Sequence, residues 1–208
     1  MRSYGRYCTI ARGLDVVGDR WVLLIVRELL DGPRRYNELL HGLPGIATNL
    51  LAERLRDLEE AGVLERHDDH TYALTAWGEG LREVVYALGR WANPLMKRPL
   101  GDDEFRSHWL SHPIHVLYDG VDRRRPRLSV EVITGDAPMT IESANGRVRV
   151  VPGRATSPDV VLTGPPDGII GLLAGIRDRP STREVTVKGD ARRLKRLRPH
   201  PVGTKPAA

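Results

Sequence analysis

The chain has 208 residues, of which 40% are hydrophobic and 28% are charged, a composition typical of a globular protein of one or two domains. Its longest apolar run, residues 21–26, is far shorter than the ~20 residues that a membrane span requires. The single cysteine, Cys8, excludes an intramolecular disulfide and any multi-cysteine metal site. Because no apolar signal segment is visible, we expect a cytoplasmic protein that does not bind membranes.

The net charge of +5 is distributed unevenly. Residues 1–98 contain 14 basic and 14 acidic side chains, whereas residues 99–208 contain 18 and 13. A positive total favours non-specific attraction to nucleic acid, but it defines no site. Evidence for DNA binding must therefore come from the positions of individual arginines.

The first hundred residues are rich in leucine and have a helical period. A helix capped by Asp19 is expected to run through Trp21 and to end before Pro33. A second, short helix is expected from Tyr36 to Gly42, with Tyr36 facing inward. The Leu43-Pro44-Gly45 segment then predicts a turn.

A third helix is expected over residues 47–61, where Leu51, Leu55 and Leu58 recur at helical spacing and form one apolar stripe. Ala47 and Thr48 are alternative first residues, because a threonine side chain can cap a helix and an alanine side chain cannot. The opposite face carries small and polar side chains: Thr48, Asn49, Ala52, Glu53 and Arg56.

Two strand-like runs, residues 63–67 and 71–74, flank a polar tip and predict a hairpin. Apolar side chains then recur from Trp77 to Leu95, which predicts a long amphipathic helix over residues 76–97. Two helices, a tight turn, a third helix and a hairpin are the order of a winged helix-turn-helix. In such a domain the third helix enters the major groove of DNA.

Five features in this order resemble the HxlR-type transcriptional regulators. They are Cys8 and the segments LDVVGDRW (14–21), RYNEL (35–39), LPGI (43–46) and LLAERLRDLEEAGV (50–63). The resemblance spans the chain from Cys8 to about Trp91. It implies a bacterial repressor or activator that binds double-stranded DNA as a homodimer, with helices over residues 9–18 and 76–97 forming the dimer interface.

The candidate DNA-binding residues are Arg34, Arg35, Thr48, Asn49, Ala52, Glu53, Arg54, Arg56 and Arg66. Asn49 suits adenine and Arg56 suits guanine, because each can form two parallel hydrogen bonds with that base. The alternative for the helix residues is an ordinary solvated face. Arg54 lies nearer the apolar stripe and is expected to hold a phosphate or an acidic neighbour.

The remaining candidates flank the third helix. Arg34 and Arg35 precede the second helix and are expected either to anchor a phosphate or to form a solvated charge pair. At the hairpin tip, Asp68 and Asp69 oppose DNA binding, so we expect a weak contact there through Arg66 alone.

Two other features suggest chemistry that we do not favour. Cys8 lies where redox-sensing members of the resembled family keep a reactive thiol, but a small apolar residue at the dimer interface is the favoured interpretation. Glu104, His108, His112 and His115 have the spacing of a zinc site on one helix face. Because Pro113 is expected to interrupt that helix, a solvated face is favoured and no metal is expected.

The sequence also contains no nucleophile–base motif and no cofactor-binding glycine motif, so we expect neither an enzyme nor a cofactor.

The second half of the chain has alternating strand patterns. A linker is expected over residues 97–102, and a helical stretch reaches Tyr118. Strands are expected over residues 128–132, 138–142, 147–150, 160–163 and 184–188. A helix capped by Asp167 and a final basic helix capped by Asp190 complete the pattern.

This order resembles the sterol-carrier-protein-like domains, through the segments PDVVLT (158–163), LLAG (172–175) and VTVKGD (185–190). The resemblance implies an apolar cavity that binds a lipophilic small molecule. The expected fold is thus α+β, with a winged helix-turn-helix over residues 1–98, a sterol-carrier-like domain with an antiparallel or mixed sheet over 99–198, and a flexible tail over 199–208.

Two functions follow from this organisation. The first is a transcription regulator whose affinity for DNA changes when the second domain binds a lipophilic effector. The alternative is a carrier or enzyme for lipophilic ligands that uses the winged helix only for dimerisation or protein interaction. The outward face of the helix over residues 47–61 distinguishes them, because a protein-binding face should be apolar and this face is polar.

Overall fold

A computed structural model describes residues 3–97, 103–176 and 180–200. The chain divides into two compact units, one ending at Val85 and the other beginning at Tyr86. The division falls within a helix, earlier in the chain than the boundary expected at residue 98. The expected linker lies almost wholly outside the described residues, as does the expected tail beyond His200.

The first unit has the element order of a winged helix-turn-helix. Its elements are α1 (Thr9–Val17), α2 (Val22–Leu29), β1 (Arg34–Arg35), α3 (Tyr36–Gly42), α4 (Thr48–Glu60), β2 (Leu64–Arg66), β3 (Thr71–Leu74), α5 (Ala76–Glu79) and the first turns of α6 (Leu81–Ala92). The three strands form an antiparallel sheet in the order β1-β3-β2. The mixed helix and sheet content agrees with the expected fold class.

The core of this unit is formed by the apolar stripes of the helices. Leu51, Leu55 and Leu58 of α4 are at most 1% exposed, as the sequence pattern predicted. Ile25 of α2 and Leu39 of α3 are fully buried in the same unit. Burying one such leucine or isoleucine side chain contributes about 1.5–3 kcal/mol, so these stripes fix how α4 is placed.

Three details of the first unit differ from expectation. Trp21, not Asp19, precedes the first residue of α2, and its backbone is left-handed with φ 82°. The long helix expected after Thr75 is divided into α5 and α6, because the Gly80 N–H bonds to the Trp77 carbonyl only three residues back. Tyr36 is half-buried rather than a core residue.

The strand β1 was not expected from the sequence. Its two residues pair with the first two residues of β3, on the side away from β2. Arg34 lies opposite Tyr72, and Arg35 lies opposite Thr71. A two-residue strand has no alternating pattern that a sequence could reveal.

The second unit is built on one five-stranded sheet. After a 3₁₀ helix over Ser107–Leu110, its elements are α7 (Ser111–Tyr118), β4 (Leu128–Thr134), β5 (Ala137–Ala144), β6 (Arg147–Pro152), β7 (Val160–Thr163), α8 (Pro166–Leu173), α9 (Pro180–Arg183), β8 (Thr186–Gly189) and a final 3₁₀ helix over Ala191–Leu197. The strand order is β6-β5-β4-β7-β8. Because β4 and β7 run parallel and every other pair is antiparallel, the sheet is mixed.

Three local predictions in this unit need correction. Pro113 does not interrupt α7, because it lies in the first helical turn, where no intrahelical N–H is required. Pro165, not Asp167, precedes the first residue of α8. The last strand begins at Thr186, later than expected. By contrast, Asp190 caps the final 3₁₀ helix as predicted, because its carboxylate accepts the Arg192 N–H at 3.0 Å.

One face of this sheet is covered by the helices of the same unit. Val130, Ile141 and Leu162 are fully buried, together with Ile114 of α7 and Ile169 of α8. Buried apolar side chains therefore occupy the layer between the sheet and these helices, where a lipid cavity was expected. No helix within the described parts of the chain is long and apolar enough to cross a bilayer.

The phenol of Tyr118 gives this unit a testable dependence on alkaline pH. Its hydroxyl donates to the carbonyl of Leu173 at 2.7 Å, and burial raises the pKa of Tyr118 well above 10, only partly offset by Arg125. A raised pKa in the folded state contributes stability below the pKa of the unfolded chain, and that stability is lost as the pH rises above it. Urea unfolding at pH 7 to 11 should show this decline for the wild type and a shallower one for Tyr118→Phe. The variant should already be about 1 kcal/mol less stable at pH 7. Equal slopes would contradict the prediction.

Candidate nucleic-acid interface

The outward face of α4 is the central feature of the candidate interface. Thr48, Asn49, Glu53 and Arg56 are exposed, and Ala52 between them is half-buried. We call these five residues the reading face. They occupy successive turns on the side opposite the leucine stripe, so the packing that buries the leucines also presents this face to solvent.

Arg56 provides the positive charge of the reading face. Its side chain is exposed and forms no ion pair or hydrogen bond within the described residues. The other charged member, Glu53, accepts a hydrogen bond from Arg54 at 2.8 Å. Because the Glu53 charge is thus compensated locally, the face presents a free guanidinium to a partner.

The start of α4 is held in place from α3. The Tyr36 hydroxyl donates to the Thr48 carbonyl at 2.7 Å. Ala47 precedes the first helical residue and supplies no side-chain cap, so a cap shifted to Thr48 is excluded. The first-turn N–H groups of α4 therefore remain available, and helix N-termini of this kind favour a phosphate oxygen.

Arg54 is engaged within the protein. Its guanidinium contacts the carboxylates of Glu53 and Asp57 at 2.8 Å each and of Asp19 at 3.4 Å. Partial burial lowers the pKa of Arg54, but the three carboxylates together outweigh this effect, so the pKa is raised. Of the two expected roles, the structure shows Arg54 holding acidic neighbours, and a phosphate contact stays a prediction.

Arg34 and Arg35 lie at β1, immediately before α3. The half-buried Arg34 directs its Nε toward the carbonyl of Glu28 at 3.5 Å, whereas the Arg35 side chain is exposed. The Arg35 N–H donates to the carboxylate of Glu38 at 2.6 Å, which caps the start of α3. Arg35 is thus placed at a helix start with its guanidinium in solvent.

The hairpin of β2 and β3 carries charges of both signs. The guanidinium carbon of Arg66 lies 5.9 Å from the centre of the Tyr72 ring. Its Nη2 lies 3.2 Å from Nδ1 of His70. Asp69 accepts hydrogen bonds from the hydroxyl and the N–H of Thr71, which lower the pKa of Asp69. The tip therefore keeps an ionised carboxylate at Asp69, and weak DNA binding by this hairpin stays a prediction.

An apolar groove of about 1240 Å³ lies within the first unit, between α1 and the helices that follow the hairpin. Large apolar side chains line it although they are exposed: Ile10 (72%), Leu14 (43%), Trp77 (62%) and Val84 (45%). Cys8 also lines this groove and is exposed. A surface of this kind on a folded chain marks an interaction site.

Glu104, His108, His112 and His115, which have the spacing of zinc ligands, do not lie on one helix. Within the described residues, no three histidine, cysteine, aspartate or glutamate side chains are arranged to hold a metal ion. His108 lies on the 3₁₀ helix and His112 on α7, so the residues do not share one continuous α-helix face.

Two positioning residues of the interface were not identified from the sequence. Tyr36 was expected in the core, yet its hydroxyl fixes the start of α4. Glu38 was not singled out, although a glutamate three residues after a helix cap position is a recognisable signal. The second residue could therefore have been found from the sequence, whereas the first depends on a tertiary contact.

Comparisons with known proteins match the first part of the chain. Residues 16–99 match the family model of the HxlR-like helix-turn-helix. An uncharacterized HTH-type transcriptional regulator of Mycobacterium tuberculosis is 37% identical over 99 residues, which are 45% of this chain and 62% of that protein. The chain thus spans less than two thirds of that relative's length.

Matches in Bacillus subtilis cover more of the related protein. The HTH-type transcriptional regulator YodB is 36% identical over 85 residues, which are 38% of this chain and 76% of YodB. The chain also matches a crystal structure of quinone-bound YodB with 34% sequence identity and a TM-score of 0.40. This match covers 42% of the present chain and 98% of the YodB chain. The chain belongs to the HxlR family of helix-turn-helix transcriptional regulators.

Proposed function

We propose that this protein regulates transcription by binding operator DNA as a homodimer, with α4 of each subunit in the major groove. The observation that carries the proposal is the reading face, which is polar and exposed on a helix whose other side is fully packed. A helix that bound another protein would present apolar side chains there. This argues against the alternative of a ligand carrier or enzyme that uses the domain only for protein contacts.

The roles of the reading-face residues follow from their chemistry. Asn49 can pair with adenine and Arg56 with guanine, each through two hydrogen bonds. Glu53 can accept from a cytosine amino group, and the small side chains of Thr48 and Ala52 suit contact with a thymine methyl group.

The surrounding residues supply contacts to the phosphate backbone. The first-turn N–H groups of α4 and the exposed Arg35 are the main anchors, because both present donors in solvent. Arg34 and Arg54 act mainly on the protein side, since their guanidinium groups already contact groups of the chain. Arg66 supplies a weak contact from the wing.

The homodimer is formed through the apolar groove. Exposed Ile10 and Trp77 require cover, and a second copy of α1 against α6 would provide it. The same packing would cover Cys8, in agreement with its favoured role as a small apolar residue at the interface. An Ile10→Glu variant should sediment as a monomer and lose operator affinity, whereas the wild type should sediment as a dimer.

A lipophilic effector in the second unit is the regulatory part of the proposal, together with the assignment of residues 99–198 as a sterol-carrier-like domain. Because buried side chains fill the layer between the sheet and the helices, such a ligand would have to displace α7 or α8 from the sheet. Removal of residues 100–208 should change operator affinity if this coupling exists. Unchanged affinity after this deletion would exclude the effector role.

Salt dependence of DNA binding tests the central proposal. Fragments of the DNA upstream of the protein's own gene should bind with an affinity that falls about a thousandfold between 50 and 200 mM salt, because phosphate contacts release counterions. A duplex of scrambled sequence should show the same salt dependence at much lower affinity. A flat response to salt, or equal affinity for both duplexes, would reject the proposal.

A further inference from the structure

Besides the apolar groove of the first unit, a polar pocket lies in the second unit, at the loop that joins α7 to β4. It has a volume of about 560 Å³, and its walls are formed by residues 119–125 together with Arg198 and His200. We call it the arginine pocket. None of its residues belongs to the reading face or to the apolar groove.

The charge of the arginine pocket is strongly biased. Its walls contain four arginines, at positions 123, 124, 125 and 198, and only two carboxylates, Asp119 and Asp122. Arg124 binds Asp122 at 2.9 Å. This bond, followed by the Arg124 backbone N–H and then the charges of Arg124 and Arg198, lowers the pKa of Asp122 to about 2. Even with both carboxylates ionised, the pocket keeps an excess of two positive charges.

A buried cation stands in the wall of the pocket. Arg125 is 6% exposed, and no carboxylate contacts its guanidinium within the described residues. Its Nε donates to the Leu197 carbonyl at 3.0 Å, and its Nη1 donates to the carbonyls of Tyr118, Gly120 and Gly146 at 2.9–3.1 Å. These bonds hold the plane of the guanidinium in one orientation.

The second terminal nitrogen of Arg125 is different. Nη2 forms no hydrogen bond to any described residue, although it carries two N–H groups. Within the described residues, carbonyl groups surround this guanidinium and no carboxylate neutralises its charge, so an anion that accepted from Nη2 would supply the missing negative charge. The fixed guanidinium is therefore a preorganised donor in a cationic pocket.

We propose that the arginine pocket binds the phosphate group of a small phosphorylated metabolite. A phosphate monoester carries about −1.5 to −2 charges at pH 7, which matches the excess charge of the pocket. The volume exceeds that of the phosphate alone and falls within the range of small-molecule sites. Duplex DNA is disfavoured as the occupant, because a guanidinium that is almost fully buried cannot reach a phosphate on a rigid duplex.

Calorimetry with inorganic phosphate on the full chain tests this proposal at constant ionic strength. The wild type should bind phosphate saturably and bind acetate at least tenfold more weakly. The double variant Arg123→Gln/Arg198→Gln should weaken phosphate binding at least tenfold, because it removes two charges from the pocket wall. Neither side chain forms a hydrogen bond within the described residues, so the fold should be kept.

A matched control removes two charges elsewhere in the same unit. Lys188→Gln/Lys195→Gln changes two exposed side chains that do not line the pocket, and phosphate affinity should stay unchanged. In NMR spectra of the wild type, phosphate should shift the amide signal of Gly120 in the pocket wall and not that of Gly175. These readouts do not depend on operator binding, so they separate this proposal from the proposed function.

Three outcomes would overturn the proposal. The first is the absence of saturable phosphate binding, and the second is an equal loss of affinity in both double variants. The third is a phosphate-insensitive Gly120 signal combined with loss of DNA affinity in Arg123→Gln/Arg198→Gln, which would assign these arginines to the duplex.

Discussion

Replacement of Arg56 by alanine should weaken operator binding about 10-fold to 100-fold for each half-site. A bidentate contact between arginine and guanine is worth about 1–3 kcal/mol, and Arg56 has no partner within the described residues that would have to be given up first. Asn49→Ala should have an effect of similar size, since its amide would lose two hydrogen bonds to adenine. Fluorescence anisotropy with a labelled operator, at one fixed salt concentration, measures both changes.

The expected loss is specific in two ways. Discrimination between the operator and a scrambled duplex should fall along with affinity, because base contacts specify and phosphate contacts do not. Arg183→Ala removes one exposed positive charge from the second unit and should leave operator affinity within twofold. The assignment of the reading face fails if Arg56→Ala and Asn49→Ala both bind the operator as tightly as the wild type.

The fold of the first unit was largely predictable because its signals are local and repeated. Leu51, Leu55 and Leu58 define both the helix and its buried side, so the exposed side followed without any knowledge of tertiary contacts. The hairpin was equally visible, since a polar tip separates its two short strands. The sequence did not show which side chains of α4 form ion pairs or hydrogen bonds within the protein.

Whether an arginine of α4 forms ion pairs depends partly on residues that are distant along the chain. Arg54 and Arg56 are two residues apart, yet one contacts three carboxylates and the other contacts none among the described residues. Asp19, which contributes to this difference, lies 35 positions before Arg54. Sequence periodicity placed both arginines on α4 but could not separate their roles.

The second unit was predictable in its strands and not in its ligand chemistry. Strand patterns were recognised because apolar and polar residues alternate, whereas an apolar cavity depends on how closely the helices approach the sheet. Arg125 stood in a basic loop that gave no sign of burial, because its carbonyl partners at Leu197 and Gly146 come from other parts of the chain.

Gly78 fixes how α5 packs against Val63, which lies between α4 and β2. A Cβ atom at this position would lie well inside 3.0 Å of the Val63 backbone carbonyl, a group that cannot move aside as a flexible side chain can. The Gly78 N–H also donates to the Thr75 hydroxyl at 3.1 Å, and that hydroxyl donates to the Gly62 carbonyl at 2.7 Å. The end of α4 and the start of the hairpin are thus joined at this glycine.

Gly78→Ala should therefore destabilise the first unit by about 3 kcal/mol, at the upper end of the usual cost of overpacking. Gly89→Ala is the matched control, because its added Cβ would only make an ordinary contact at 3.9 Å with Val116. Since alanine favours helix, this control should gain about 0.5–1 kcal/mol. Urea unfolding followed by circular dichroism measures both changes.

Because α4 can present its reading face only while this packing holds, Gly78→Ala should also reduce operator affinity at 37 °C. A stable Gly78→Ala protein with normal operator affinity would show that the close approach of α5 to Val63 does not position α4.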